Sequence, residues 1–371
     1  MTKILFTLNS SDFGGMEKTV LDLIKNLPDK FEKYVVCPKG DLYPEFEKYS
    51  KVKSHRKIKK LDFGYINFLI NFIKKNNIQI IHANEPKIVF NSLIAGFLAK
   101  VPVRISHTHT PISDWRVGVL SKIVNIFFNS VIVNLLSTYE IALTEKIRQK
   151  KINEFLFPHK LYIIPNSIDP EFVTKIDEEF AKNKNLPNTN IGKYTFLCLS
   201  RLTPEKNQEI LIKAFNIFQK SFINSKLIIA GKGTDLSRLK KLSKELKLDS
   251  SVTFIEEVSE KDKILLYLSC NCFIFPSQAE GFGITLLEAM YSVYPVISSN
   301  LPVLKEVSGE NVIFFESNNE NDLAMRMLEV YKDRMNPKNN EKLAKNKKYV
   351  LSHFSLKKYV ENYAKMYNKC L

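Results

Sequence analysis

The stretch CFIFPSQAEGFGITLLEAM, residues 272–290, holds three kinds of local signal in a row. An apolar run, CFIFPS, reads as a buried strand ending near Pro276. A loop follows with Glu280, Gly281 and Gly283, and then a helical pattern begins near Ile284 and places Glu288 about one turn in. Strand, glycine loop and helix in that order form the unit of an open, mostly parallel α/β sheet. Ligands of such sheets bind beyond the carboxyl ends of the strands. A buried amphipathic helix does not need a carboxylate at its entrance and another one turn in, so Glu280 and Glu288 pose the functional question.

The chemistry at such a junction is specific. Glycines let backbone come close to a ligand. The helix N-terminus offers unbonded N–H groups and a dipole that favours an anion. Carboxylates accept from paired sugar hydroxyls. A diphosphate flanked by a sugar and a ribose fits two carboxylates on either side of the glycines. The plainer reading makes Glu288 a helix-surface residue and Glu280 a loop charge.

The alternation of strand and helix extends over most of the 371 residues, a length that suits two domains. In the first half, KILFTLNS, KYVVCPKG, IQIIHAN, VPVRISHTH, SVIVNLLS and KLYIIPNS read as strands, with helices between several of them. Residues 168–190 turn polar and proline-bearing, as a linker would. The alternation then resumes with YTFLCLS, KLIIAGKG, SVTFIEE, CFIFPS and YPVISS. The expected organisation is an N-terminal doubly wound domain over 1–172, a linker over 173–192 and a second such domain over 193–353. The tail from 354 to 371 has apolar residues at 356, 359, 360, 363, 366 and 367, one stripe of an amphipathic helix. It could cap the second domain or return to the first.

Composition narrows the setting. The five cysteines, Cys37, Cys198, Cys270, Cys272 and Cys370, form neither a disulfide framework nor a zinc pattern, and suit a reducing compartment. The N-terminus enters a strand-like run without an apolar signal core. The most hydrophobic window, 117–137, is broken by Lys122, Asn125, Asn129 and Asn134 and reads as a helix followed by a buried strand, not a bilayer span. A cytoplasmic location is expected. Net charge is +16, and residues 1–170 hold 25 Lys/Arg against 15 Asp/Glu. The densest cluster is KVKSHRKIKK, 51–60, which suits an anionic partner such as a membrane surface, or a solvated face. It lacks the interleaved aromatics of a nucleic-acid site, so no nucleic acid is expected.

Three further clusters sit at strand ends. Asp12-Phe13-Gly14-Gly15 joins the first strand to a helix. SRLTPEKN places Arg201 at a strand end and Lys206 beside a helix start at Asn207. A planar guanidinium and a compact ammonium suit a diphosphate. Gly231-Lys232-Gly233 makes a tight turn but is not a full dinucleotide fingerprint. His107-Thr108-His109 is not a zinc pair, and either ring could serve a substrate or be a structural histidine.

Arg201 with Lys206, and Glu280 with Glu288 inside EGFGITLLEAM, together resemble the retaining glycosyltransferases of family four. Gly14-Gly15 with MEKTVLDL, then IQIIHAN, VPVRISHTHT and IIPNSID, extend the likeness over nearly the whole chain. VRISHTHT looks most like members that build exopolysaccharide or capsule. The resemblance implies the GT-B fold: two Rossmann-like domains facing across a cleft, with the C-terminal helix crossing back to the first. It implies a UDP-sugar or GDP-sugar donor on the second domain, a glycan or lipid-linked acceptor on the first, and no metal or other cofactor. Carried onto this chain, Arg201 and Lys206 would neutralise the diphosphate, Glu280 would hold the donor sugar and Glu288 the ribose. Backbone at Gly14, Gly15, Gly231, Phe282, Gly283 and Ile284 would approach phosphate or sugar, and His109 would sit near the sugar, with His107 as the alternative. A basic first half that meets the acceptor implies peripheral attachment at the inner face of the cell membrane. Glycines usual in the family are replaced by Ser167, Glu256 and Val293. A nucleotide-sugar epimerase of related fold and a silent nucleotide-sugar-binding protein are the alternatives.

Overall fold

The structure is a computed structural model that describes residues 1–58, 61–107, 126–127, 131, 133–152, 160–182 and 193–370, without the side chains of 86 and 87. The described residues fall into two compact units, Met1–Ser167 with Leu356–Leu371, and Ile168–Ser355.

The first unit is built on a parallel sheet of β1 (Thr2–Thr7), β2 (Phe31–Cys37), β3 (Lys51–Ser54), β4 (Ile80–Asn84), β5 (Val103–His107), β6 (Tyr139–Ala142) and β7 (Leu161–Ile163). Their order is β3-β2-β1-β4-β5-β6-β7. Helices α1 (Gly15–Asn26), α2 (Tyr43–Tyr49), α3 (Phe63–Asn76), α4 (Pro86–Leu98) and α5 (Glu145–Ile152) connect the strands. Side chains alternate across the sheet, so Ile4 and Phe6 join one core and Leu5 the other. Val20, Leu21, Leu23 and Ile24 of α1 close the first core, and Leu69, Ile73, Val89 and Leu93 of α3 and α4 close the second.

The second unit repeats the plan with β8 (Tyr194–Leu199), β9 (Ser225–Ala230), β10 (Val252–Ile255), β11 (Cys272–Phe275), β12 (Val296–Ser299) and β13 (Ile313–Phe315). The order is β10-β9-β8-β11-β12-β13, all parallel. Its helices are α6 (Pro170–Lys182), α7 (Gln208–Gln219), α8 (Leu236–Glu245), α9 (Glu260–Ser269), α10 (Ile284–Ser292), α11 (Pro302–Ser308), α12 (Glu320–Lys332) and α13 (Lys338–Phe354). Both sheets are therefore doubly wound and Rossmann-like, the fold expected from the sequence. The last helix, α14 (Leu356–Lys369), inserts Tyr359, Val360, Tyr363, Met366 and Tyr367 into the core of the first unit. The apolar stripe thus returns to the first unit.

Two expectations need correction. The polar stretch after 168 is not a linker over its first part: Pro170–Lys182 is helix, and Phe172 and Ile176 are buried. Acidic and basic residues fill its outer face, which hid a narrow apolar stripe. SVIVNLLS, 130–137, is not a strand, because the described residues 131 and 133–136 are helical. The strand is β6, in TYEIA, where Glu140 is buried and ion-paired to the buried Lys151 of α5 at 2.5 Å. Val293 and Ser167, found where glycines were usual, meet no conformational demand that excludes a side chain. Val293 is extended at φ −142°, and Ser167 is buried.

Candidate active site

In each sheet the strand order reverses once, between β1 and β4 in the first unit and between β8 and β11 in the second. At such a switch point the loops leave in opposite directions and open a crevice at the carboxyl ends. Asp12–Gly15 follows β1, Arg201–Lys206 follows β8 and Glu280–Gly283 follows β11, whereas Gly231–Gly233 follows β9 and His107 ends β5.

In the second unit, β8 ends at Leu199 and the chain passes through Arg201 into a short 3-10 turn, Pro204–Lys206. Asn207 takes a left-handed conformation, φ 53°, and α7 starts behind it. On the other side, β11 ends at Phe275 and its loop carries Ser277 and Glu280. The Lys206 ammonium donates to Glu280 Oε1 at 2.5 Å and joins the two loops. Both side chains are largely buried, 13% and 9% exposed. The Ser277 hydroxyl donates to the same oxygen at 2.8 Å, and the N–H of Gln278 donates to the Glu205 carbonyl at 2.8 Å.

Arg201 stands apart from that pair. Its side chain is 76% exposed and lies 3.7 Å from Glu205. Burial works against the Glu205 charge, yet the Thr203 hydroxyl, a backbone N–H and the cations Arg201 and Lys206 hold the carboxyl below its ordinary range. The loop is braced from behind. A Cβ on Gly231 would lie 2.0 Å from the Ser200 carbonyl oxygen, and one on Gly233 2.0 Å from that of Leu202. The N–H of Leu202 donates to the Lys232 carbonyl at 2.8 Å. These glycines seat the Arg201 loop against β9; Gly231, with φ +136°, has a structural reason to be glycine before any ligand is considered.

Helix α10 starts at Ile284 behind Gly283, whose φ is +95° and which gives no side-chain cap. Its first turn has no acidic residue. The Phe282 side chain is buried, with its ring 5.6 Å from Phe354, so only the backbone of this residue can serve the loop face. Glu288 is 7% exposed and is not the surface residue of the plainer reading. Lys263 of α9 donates to its Oε1 at 2.9 Å, and the Tyr267 hydroxyl to its Oε2 at 3.1 Å. Burial pulls the Lys263 ammonium down, but Glu288 and Glu260 outweigh it and the net shift is upward. Sequence reasoning missed both partners. Their i, i+4 spacing put them on one helix face, but nothing local tied that face to α10.

In the first unit, Gly14 precedes α1 with an extended φ of −159°, open to any residue. The Asp12 carboxylate pairs with Lys57 at 2.6 Å, and Ser10 donates to it at 2.9 Å, which holds its pKa low. After β4, Glu85 has φ 75°, an uncommon value for a residue with a side chain, at the same switch point. His107 is buried: its Nδ1 lies 3.3 Å from His82 Nε2 and 3.4 Å from the Tyr363 hydroxyl. It belongs to the packing of α14. His109 lies outside the described residues. Among the described residues, no three His, Cys, Asp or Glu side chains gather as a metal site requires, and no helix is long and apolar enough to cross a membrane.

Comparison with known proteins follows this division. The family model described as glycosyl transferases group 1 matches residues 178–350, and that of glycosyltransferase family 4 matches 13–172. The capsular polysaccharide biosynthesis glycosyltransferase CapH of Staphylococcus aureus is 29% identical over 343 residues, 87% of each chain. The O-antigen chain mannosyltransferase RfbU of Salmonella typhimurium is 29% identical over 47% of this chain and 49% of its own. Among solved structures, Anabaena HepE in complex with UDP and glucose superposes with a TM-score of 0.81 at 20% identity, covering 99% of this chain and 100% of its own. Two Rossmann-like units, matched in turn by two glycosyltransferase models, leave one assignment: the chain is a glycosyltransferase of GT-B fold, related to the group 1 and family 4 enzymes and to those of polysaccharide and O-antigen synthesis.

Proposed function

We propose that the protein transfers a sugar from a UDP-sugar or GDP-sugar to a hydroxyl of a glycan or lipid-linked acceptor, with retention of anomeric configuration and without a metal. The observation that carries this reading is the Lys206–Glu280 pair spanning the switch point between β8 and β11. One member is the cation a diphosphate needs, and the other is the acceptor a sugar hydroxyl needs. Both bonds to Glu280 end on Oε1, which leaves Oε2 to meet the sugar. The printed ligands of HepE, UDP and glucose, are in keeping with a nucleotide-sugar donor.

Departure of a nucleoside diphosphate builds negative charge. In this scheme Lys206, the exposed Arg201 and the uncapped N-terminus of α10 stabilise it, with the backbone of Phe282, Gly283 and Ile284 facing phosphate. Glu288 takes the ribose. Gly14-Gly15 and His109 serve the sugar and acceptor from the first unit. The anomeric carbon gains oxocarbenium character, and the acceptor attacks from the face the diphosphate leaves. Charge stabilisation by side chains is what makes a divalent ion unnecessary in this scheme.

The test is a panel of UDP- and GDP-sugars, read by melting temperature and by release of nucleoside diphosphate with and without EDTA. Turnover of one donor is expected, unaffected by EDTA, with the anomer of the product assigned by NMR. Lys206→Ala should lower kcat/KM by about 100-fold or more, the scale of losing one preorganised charge stabiliser. A panel in which no nucleotide sugar binds or turns over would overturn the reading. Donor turnover that yields an epimer without an acceptor would replace it with an epimerase.

A further inference from the structure

A carboxylate offers about four lone-pair directions, two on each oxygen. In Glu288 one direction on Oε1 is taken by Lys263 at 2.9 Å, and one on Oε2 by the Tyr267 hydroxyl at 3.1 Å. One acceptor direction per oxygen is left, enough to take two vicinal hydroxyls. The donors are themselves fixed. Lys263 is held by Glu260 at 3.0 Å and its ammonium lies 5.1 Å from the Phe172 ring centre. The Tyr267 ring packs against Phe172 and Phe273, with centroids 5.6 and 5.5 Å away. Its hydroxyl has a single proton and two acceptors in reach, Glu288 Oε2 at 3.1 Å and the Thr285 carbonyl at 3.3 Å. The charged oxygen is the nearer and stronger acceptor.

We propose that Lys263 and Tyr267 are positioning residues for the donor nucleotide: they lock the Glu288 carboxylate so that its two remaining acceptor directions read the vicinal 2′- and 3′-hydroxyls of a ribose. The proposal rests on the donor reading above. Two features keep both groups donors at neutral pH. Burial and the Glu288 charge push the Tyr267 hydroxyl well above its ordinary range, so it stays protonated. For Lys263, burial acts downward, but Glu288 and Glu260 prevail, so it stays an ammonium. Neither residue touches the nucleotide. Each acts by removing the freedom of Glu288 to turn away or to accept in another direction.

The experiment is calorimetric titration with UDP and GDP, each beside its 2′-deoxy counterpart, at one ionic strength. For the nucleotide that binds, the wild type should prefer the ribose form about tenfold or more, the value of one hydrogen bond to a charged acceptor. Glu288→Ala should abolish that preference. Tyr267→Phe and Lys263→Met should shrink it by about threefold or more while affinity for the 2′-deoxy form stays within about twofold, because only the discriminating bonds are misdirected. If these two variants keep the full preference, or weaken both forms equally, the residues merely fasten α9 to α10 and the proposal fails alone. If the wild type shows no preference, or Glu288→Ala retains it, the donor reading fails at Glu288 and takes the proposal with it. Tyr267→Phe keeps the packed ring, so the test stands even where Lys263→Met does not fold.

Discussion

Single residues divide here into those the fold needs and those it can spare. Gly231 belongs to the first kind: φ is +136° and a Cβ would lie 2.0 Å from the Ser200 carbonyl oxygen. Gly231→Ala should destabilise the protein by about 2 kcal/mol or more through strain and displacement. It should also weaken donor binding, because the Arg201 loop is what must move. Gly14 is the contrast. Its backbone is extended, and the atom in the way of a Cβ is the tip of the flexible Glu17 side chain, at 2.4 Å. Gly14→Ala should leave the denaturation midpoint nearly unchanged. Lost activity in that variant would then mark a glycine needed by a ligand, and unchanged activity would remove Gly14 from the site. The sequence made both glycines visible but not this difference, which depends on what backbone passes behind each. In the same way Glu280 and Lys206 were legible as charges at strand ends. Their mutual bond was not, since 74 residues separate them.

Elements were legible where apolar periodicity was unmixed, and obscured where charge entered the core or filled a helix face. The stripe of α14 could be read residue by residue, and the structure adds where it goes. Beneath it the Tyr367 hydroxyl lies 2.7 Å from His82 Nδ1, and His82 in turn contacts His107. Tyr363→Ala should therefore cost about 3–5 kcal/mol, as for other large buried aromatics, seen as a lower unfolding midpoint. Tyr367→Phe removes only a hydroxyl and should cost about 1–3 kcal/mol, because a buried imidazole nitrogen loses its bond. Equal small effects of the two would show that α14 is not part of the core of the first unit. By contrast, β6 was hidden because Glu140 interrupts its apolar run. The buried Lys151 that neutralises it comes from a helix whose sequence, EKIRQKKI, reads as wholly exposed. Helix α6 was hidden for the opposite reason: of its thirteen residues six are charged, and two buried side chains, Phe172 and Ile176, do the anchoring.

At the scale of the molecule, the excess of +16 invites an anionic surface, but the structure changes which cations remain to meet it. In the basic stretch 51–60, Lys51 pairs with Glu32 at 2.5 Å, Arg56 with Asp62 at 3.0 Å and Lys57 with Asp12 at 2.6 Å. Paired charges add little to a long-range field, so among the described residues of this stretch membrane attraction falls chiefly to the exposed Lys53. Each lysine near an anionic leaflet contributes about 1 kcal/mol. Lys53→Glu should thus weaken sedimentation with phosphatidylserine vesicles by about fivefold or more at low salt. The wild-type interaction should fade as salt rises, since the screening length falls from about 10 Å at 0.1 M to about 3 Å at 1 M. Binding that survives 1 M salt would point to apolar insertion instead of charge. No vesicle binding at low salt would turn the acceptor assignment from a lipid-linked glycan towards a free one, because a peripheral enzyme must first find the surface that carries its substrate.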